Sequence, residues 1–198
     1  TFTEPIEPPM DQTIEQLLQA FEAAGAKNLI TKNDEFTINI GLIREGQPVL
    51  GVVAVPATGE LFYAEKGQGA WHLQNDTLVR LPQETKEERV LARSWFHDNP
   101  TLETFAQKNN IQHSIKMSSA VRMPRLAQGK VNLCLTSNRS YEWDIAAGQI
   151  LIQETGGTVL DMTTQALPCF NKPDLRNDFI LALAKNILAQ RLTNPLTL

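Results

Sequence analysis

The 198-residue chain has few of the residues that most often carry metal or redox chemistry. Its two cysteines, Cys134 and Cys169, lie far apart with no C-x-x-C pattern, and its three histidines, His72, His97 and His113, show no ligand spacing. A zinc site or a disulfide framework is therefore not expected, and the thiols read as reduced. No apolar run approaches the roughly 18–20 residues that a membrane-spanning helix needs, and the first residues show no basic-then-apolar leader. No block of Lys and Arg stands out and the formal net charge is −4, which argues against a nucleic-acid polymer or an anionic membrane as partner. Repeats and low-complexity tracts are absent as well. With 42% hydrophobic and 20% charged residues, the composition is that of a soluble globular chain, expected in the cytoplasm. The length suits a single domain, with two lobes divided roughly into 1–87 and 88–198.

What is present is periodicity. Residues 10–24 carry apolar side chains at helical spacing, ended by Gly25. Residues 36–43 alternate and are rich in β-branched side chains; 49–55 and 61–64 follow as strands, and Gly67, Gly69 and Trp71 lead into another. Turn signals at such short intervals predict an antiparallel meander, and the unbroken apolar character of 49–55 predicts burial on both faces. Residues 73–88 are polar and read as a surface connection. Strands are then expected at 90–94, 112–116, 131–135, 158–161 and 178–184. Helices are expected at 100–108, 119–128 and 186–192, with Pro124 tolerated only early in its helix. Strands come first, then strands alternate with helices: a layered α/β arrangement.

The stretch at 141–157, YEWDIAAGQILIQETGG, organises the rest. It reads as a helix of about three turns that starts at Asp144, a good N-cap, and stops at Gly156-Gly157. The run Ala146-Ala147-Gly148 allows close approach of backbone. An aspartate at such a helix start could hold a hard cation, and the terminus could meet an anion. Equally, the small residues could merely pack against a neighbour.

The pattern W-D-x-A-A-G, then a hydrophobic helix and G-G, resembles the C-terminal signature of the inositol monophosphatase superfamily. Further segments resemble its 3'(2'),5'-bisphosphate nucleotidase branch. KNLITKNDEFTINIGLI at 27–43 is similar to the K-E-F-I-K-R-N-G-E-F-T-V-N-I segment, and 49–70 follows a strand pair ending in G-x-G-A. Ala92-Arg93-Ser94 resembles an S-R-S strand end, Met117-Ser118-Ser119 a G-S-S turn, and NKPDLRN at 171–177 the Y-N-K-x-x-x-L-N-P segment. The resemblance implies an α-β-α-β-α layered sandwich of the sugar phosphatase type and a Mg²⁺-dependent phosphomonoesterase acting on 3'-phosphoadenosine 5'-phosphate or a related small phosphate. Inositol 1-phosphate is the alternative substrate. It is compatible with a homodimer, the oligomeric state being left open by the sequence.

Where the family carries D-P-V-T, an E-E pair and D-P-L-D-G-T, this chain runs from Ala26 directly into Lys27. A segment is missing there by comparison with the family. One remaining carboxylate binds Mg²⁺ weakly, so activity is expected if the whole protein carries that segment, and a non-catalytic, phosphate- or partner-binding remnant is the alternative of another class.

The resemblance makes Asp144 the metal ligand and catalytic carboxylate, in contact with substrate. Ser118 and Ser119 open a helix, where hydroxyls and N–H groups could meet a phosphate or simply cap it. Arg122 could supply a cation for a second phosphate, or be a solvated helix face. Glu142 could orient the motif or face solvent, Lys172 and Arg139 read as surface positions, and Trp143 reads as core packing that fixes the helix start.

Overall fold

The computed structural model describes residues 35–94, 100–136, 140–188 and 192. The helix expected over 10–24 and the loop expected after Ser94 lie outside the described residues, as does the Ala26–Lys27 junction.

Five strands form the meander expected from the turn signals: β1 Ile38–Arg44, β2 Gln47–Val55, β3 Glu60–Glu65, β4 Gly69–Gln74 and β5 Thr77–Arg80, each antiparallel to the next. Two hairpins turn on pairs of residues with positive φ, Glu45-Gly46 (52° and 72°) and Asn75-Asp76 (48° and 59°), the backbone that a tight two-residue hairpin requires. The second of these corrects the surface connection expected over 73–88. Asn and Asp tolerate the left-handed region, so the polar pair folds the chain back and β5 pairs with β4. Residues 52–55 of β2 are all buried, on both faces of the sheet.

The second sheet has the order β7-β6-β8-β10-β9, with β6 Val90–Ser94, β7 His113–Met117, β8 Leu133–Thr136, β9 Thr158–Asp161 and β10 Ile180–Leu183. β6 runs parallel to β7 and β8, while β10 is antiparallel to β8 and β9. Its inner strands β6, β8 and β10 are buried on both faces, edge strand β7 is exposed up to Met117, and the period of two sorts the buried side chains. Val90, Ala92, Cys134, Ile180 and Ala182 enter one core. Leu91, Leu133, Leu135, Leu181 and Leu183 enter another, against Leu102 and Phe105 of α1 (Pro100–Lys108).

The first core holds α2 (Arg122–Gln128) and α3 (Glu142–Glu154). Helix α3 touches β1 to β4 of the meander and β9 and β10 of the second sheet, so it lies between the sheets. Its small residues have a packing explanation. Gly41 and Gly51 face each other across β1 and β2. A Cβ on Gly41 would stand 3.0 Å from the Ala146 Cβ, and one on Gly51 would stand 2.6 Å from the Ala147 carbonyl oxygen. On the other side of the helix, a Cβ on Gly148 would meet Met123 of α2 at 2.5 Å. The run Ala146-Ala147-Gly148 thus lets the helix backbone lie close to a glycine pair and to α2. The far end of α3 is tied down by Glu154, whose carboxylate accepts the N–H groups of Gly67 and Gly69 at 2.9 and 2.8 Å. Among the described residues no helix is long and apolar enough to cross a membrane.

Candidate functional site

Helix α3 begins two residues earlier than the start expected at Asp144. Tyr141 is the N-cap and Asp144 the third residue of the first turn. The Tyr141 N–H donates to Asp144 Oδ2 at 2.8 Å, and the Asp144 N–H donates to the Tyr141 carbonyl at 3.0 Å. Asp144 therefore caps the helix from inside the first turn, reaching back to the residue at its mouth. The glycine stop holds: Gly156, at φ +83°, and Gly157 donate their N–H groups to Gln153 and Ile152.

Asp144 is exposed and lines a cavity of about 360 Å³. Ser119 and Arg122 line the same cavity. So do Asn39 on β1, Ser94 at the end of β6, Thr136 at the end of β8 and Ser140 just before α3, none of which the sequence singled out as a site residue. Topology explains their convergence. β6, β7 and β8 are parallel and in the order second, first, third, with α1 and α2 leaving to opposite faces of the sheet. That order makes a crevice at the carboxyl ends of the first and third strands, where α/β sheets bind ligands. Strand-end Ser and Thr residues were the available signal, but reading it needs the strand order.

Ser118 is half-buried, follows β7 and does not line the cavity; its N–H donates to a Glu35 carboxylate oxygen at 2.5 Å. Ser119 is exposed and begins a 3₁₀ turn, Ser119–Val121, that runs into α2. The helix expected over 119–128 is therefore split, with Pro124 in the first turn of its second part, where no N–H is needed. Arg122 is not on a solvated face. It is 8% exposed, its Nη1 donates to the Leu135 carbonyl at 3.3 Å, and its Nε is buried without a hydrogen-bond partner. Burial pushes the neighbouring Cys134 thiol up, against the pull of the Arg122 charge.

Glu142 faces inward. It is buried, and its carboxylate accepts the N–H groups of Asn171 and Lys172 at 2.7 and 3.1 Å and pairs with Lys172 Nζ at 3.1 Å. Burial alone would raise its pKa, but these bonds hold it below the usual carboxylate range. Lys172 is accordingly occupied by a structural latch. Asn177 adds an N–H bond to the Ser140 carbonyl at 2.9 Å, so segment 171–177 is laced to the residues that open α3. Trp143 does not pack in the core as expected: it is 57% exposed. The second position of the helix points it outward while Ile145 takes the buried direction. Arg139 lies outside the described residues.

Asp144 offers oxygen chemistry suited to a hard cation, with one oxygen bonded to the Tyr141 N–H. Mg²⁺ keeps most of its water and takes one or two carboxylates together with substrate phosphate, so this donor fits a single weakly held ion. Among the described residues no group of three or more His, Cys, Asp or Glu stands together for a metal.

The profile of the inositol monophosphatase family matches residues 25–196. The 3'(2'),5'-bisphosphate nucleotidase CysQ of Salmonella typhimurium is 31% identical over 147 residues, covering 72% of this chain and 58% of that protein. Among solved structures, CysQ from Bacteroides thetaiotaomicron superposes with a TM-score of 0.69 at 28% identity, covering 81% of this chain and 66% of that one. An inositol monophosphatase from Thermotoga maritima gives 0.63 at 26% identity, over 82% of this chain and 61% of that one. The chain spans between 52 and 62% of the length of the curated relatives that it matches.

Proposed function

The chain belongs to the inositol monophosphatase family, a family of metal-dependent phosphatases that typically use Mg²⁺, and from that premise we propose that it acts on a small phosphate monoester, with adenosine 3',5'-bisphosphate as its preferred substrate. The observation that carries this reading is the meeting of Asp144, Ser119 and Arg122 around one crevice, together with the nucleotidase names of the relatives at about 30% identity.

Hydrolysis joins a water oxygen to phosphorus and breaks the bond to the sugar oxygen, which leaves with a proton. Asp144 would hold Mg²⁺, which when bound supplies Lewis acidity to a phosphoryl oxygen and to water. The rest is positioning. The Ser119 hydroxyl, at the cavity wall, would orient a phosphoryl group, a role that Ser118, outside the cavity lining, does not share. Arg122 is a cation in the cavity wall with one unsatisfied N–H, suited to a second phosphate. A bisphosphate uses both features, whereas inositol 1-phosphate leaves the arginine without a partner.

Phosphate release from adenosine 3',5'-bisphosphate and from inositol 1-phosphate, with and without Mg²⁺, tests the proposal. The expected result is Mg²⁺-dependent turnover that favours the nucleotide and is abolished by Asp144→Asn. Turnover retained in that variant would overturn the role of Asp144. The second reading, a binding protein without turnover, draws on Asp144 being the one carboxylate among the described cavity-lining residues. Nucleotide binding with no release of phosphate under any Mg²⁺ concentration favours it.

A further inference from the structure

Tyr141 and Trp143 flank the site in an unusual way. Their rings are stacked face to face, with centroids 4.6 Å apart and planes 3° from parallel. Yet the stack is not core: the Trp143 indole is 57% exposed. Neither ring lines the cavity, but the chain neighbours Ser140 and Asp144 do, and a large aromatic surface left in water beside such residues offers a flat ligand ring a place to stack.

The platform is held rigidly. The Tyr141 N–H is bonded to the Asp144 carboxylate, and Tyr141 forms a bridge with Arg176. Between these two residues in the chain, Glu142 sends its side chain inward to accept the N–H groups of Asn171 and Lys172. The alternation along 141–144 is therefore ring, latch, ring, cavity carboxylate. Ser140 and Asp144, on either side of the pair, both line the cavity.

We propose that the Tyr141–Trp143 stack is the nucleobase platform of this site, with the purine laid against the exposed indole while the phosphoryl group reaches Asp144 one sugar away. The inference rests on the proposed phosphatase reading and specifies its substrate as a nucleoside phosphate. Two observations select this occupant. The surface is planar and aromatic, which suits a π-face of any base. It is adjacent in the chain to the carboxylate assigned to the phosphoryl end.

Equilibrium binding to the intact chain, read by quenching of tryptophan emission, tests this without requiring turnover. The probes are adenosine 3',5'-bisphosphate, inositol 1-phosphate and inorganic phosphate. The nucleotide should quench strongly and the other two should not. Trp143→Ala should bind nucleotide about tenfold more weakly with phosphate affinity unchanged. Trp143→Phe, followed by isothermal calorimetry, should restore most of the affinity, and both variants should keep the parent melting temperature because the side chain is exposed. Equal nucleotide affinity in Trp143→Ala sinks the platform. So does a dimer that this variant dissociates with no change in nucleotide binding, since the indole would then serve a second copy. The two proposals fail separately. Trp143-dependent nucleotide binding without phosphate release overturns the phosphatase alone, and turnover with Trp143-independent affinity overturns the platform alone.

Discussion

Arg122 and Arg125 stand one turn apart on the same short helix, and their surroundings differ sharply. Arg125 is fully employed. Its guanidinium grips both carboxylate oxygens of Glu60 on β3, with Nη2 to Oε1 at 2.7 Å, bonds Gln128 at 3.1 Å and lies over the Phe62 ring at 5.5 Å. Glu60 in turn meets His72 at 3.1 Å, and His72 stacks on Phe62 at 4.3 Å. Burial would raise the Glu60 pKa, but the bonds from Arg125 and Thr58 and the nearby positive charge outweigh it and bring the pKa to about 2. His72 is lowered as well, but by its burial, which favours the neutral ring where the shift in Glu60 favours the ionised carboxylate. Arg122, buried where Arg125 is half-buried, bonds one backbone carbonyl and has, among the described residues, no partner for its Nε. A buried guanidinium left short of partners is costly unless something else completes it. One arginine fastens α2 to the meander, and the other is the one for which an anion-binding role is proposed.

The largest effect should come from breaking the completed pair. Arg125→Met leaves Glu60 buried without its partner, and removal of one member of such a pair costs about 3–5 kcal/mol. Urea unfolding should show that loss, and a change under ~1 kcal/mol would mean that the pair is structurally idle. Next comes the seat of α3. Gly51→Ala puts a methyl group 2.5 Å from Ile150 Cγ2 and 2.6 Å from the Ala147 carbonyl. Overpacking of this kind costs about 1–3 kcal/mol. Because the displaced helix carries Asp144, phosphatase activity should fall further than the midpoint shift explains.

These positions also show what could be read in advance. The W-D-x-A-A-G run marked α3 and Asp144, because a motif and a helical period are both local. Its small residues looked ambiguous until Gly41 and Gly51 were found beneath them, contacts roughly a hundred positions away in the chain. Trp143 was misjudged because helical phase, rather than hydrophobicity, decides which side it faces. β5 was missed because Asn75-Asp76 is polar enough to pass for a loop. Glu60 and Arg125 carry no local mark at all, since their pairing depends on how α2 lies across the meander. The strand-end residues Asn39, Ser94, Thr136 and Ser140 become a site only once β6 and β8 are neighbours.

The other half of the comparison predicts an opposite balance. Arg122→Met removes a buried cation with few bonds, so stability should hold or rise slightly, as exchange of buried charge for apolar packing often does. Affinity for adenosine 3',5'-bisphosphate should nevertheless fall about tenfold, the scale of one hydrogen bond to a charged group. Calorimetric titration beside a melting curve separates the two. A variant that loses stability and keeps its affinity would make Arg122 a structural residue like Arg125.

The narrowest effect is confined to acid. The Glu60 pKa is depressed in the folded chain to about 2, while in the unfolded chain a glutamate titrates near ~4.3. Its ionised form therefore contributes stability that is complete above the unfolded value and is lost as pH falls from there towards 2. Between pH 7 and pH 6 (~1 unit in which almost no proton is taken up by either state at this group) Glu60 gives almost no slope. Glu60→Gln should flatten the part of the acid unfolding curve that lies below ~4.3, and leave the curve above it parallel to the parent. Arg122 has no carboxylate hydrogen-bonded to it among the described residues, so Arg122→Met should leave the acid limb of the parent unchanged. If Glu60→Gln and the parent unfold along identical acid limbs, the carboxylate is not held by Arg125 in solution, and the distinction between the two arginines collapses from the paired side.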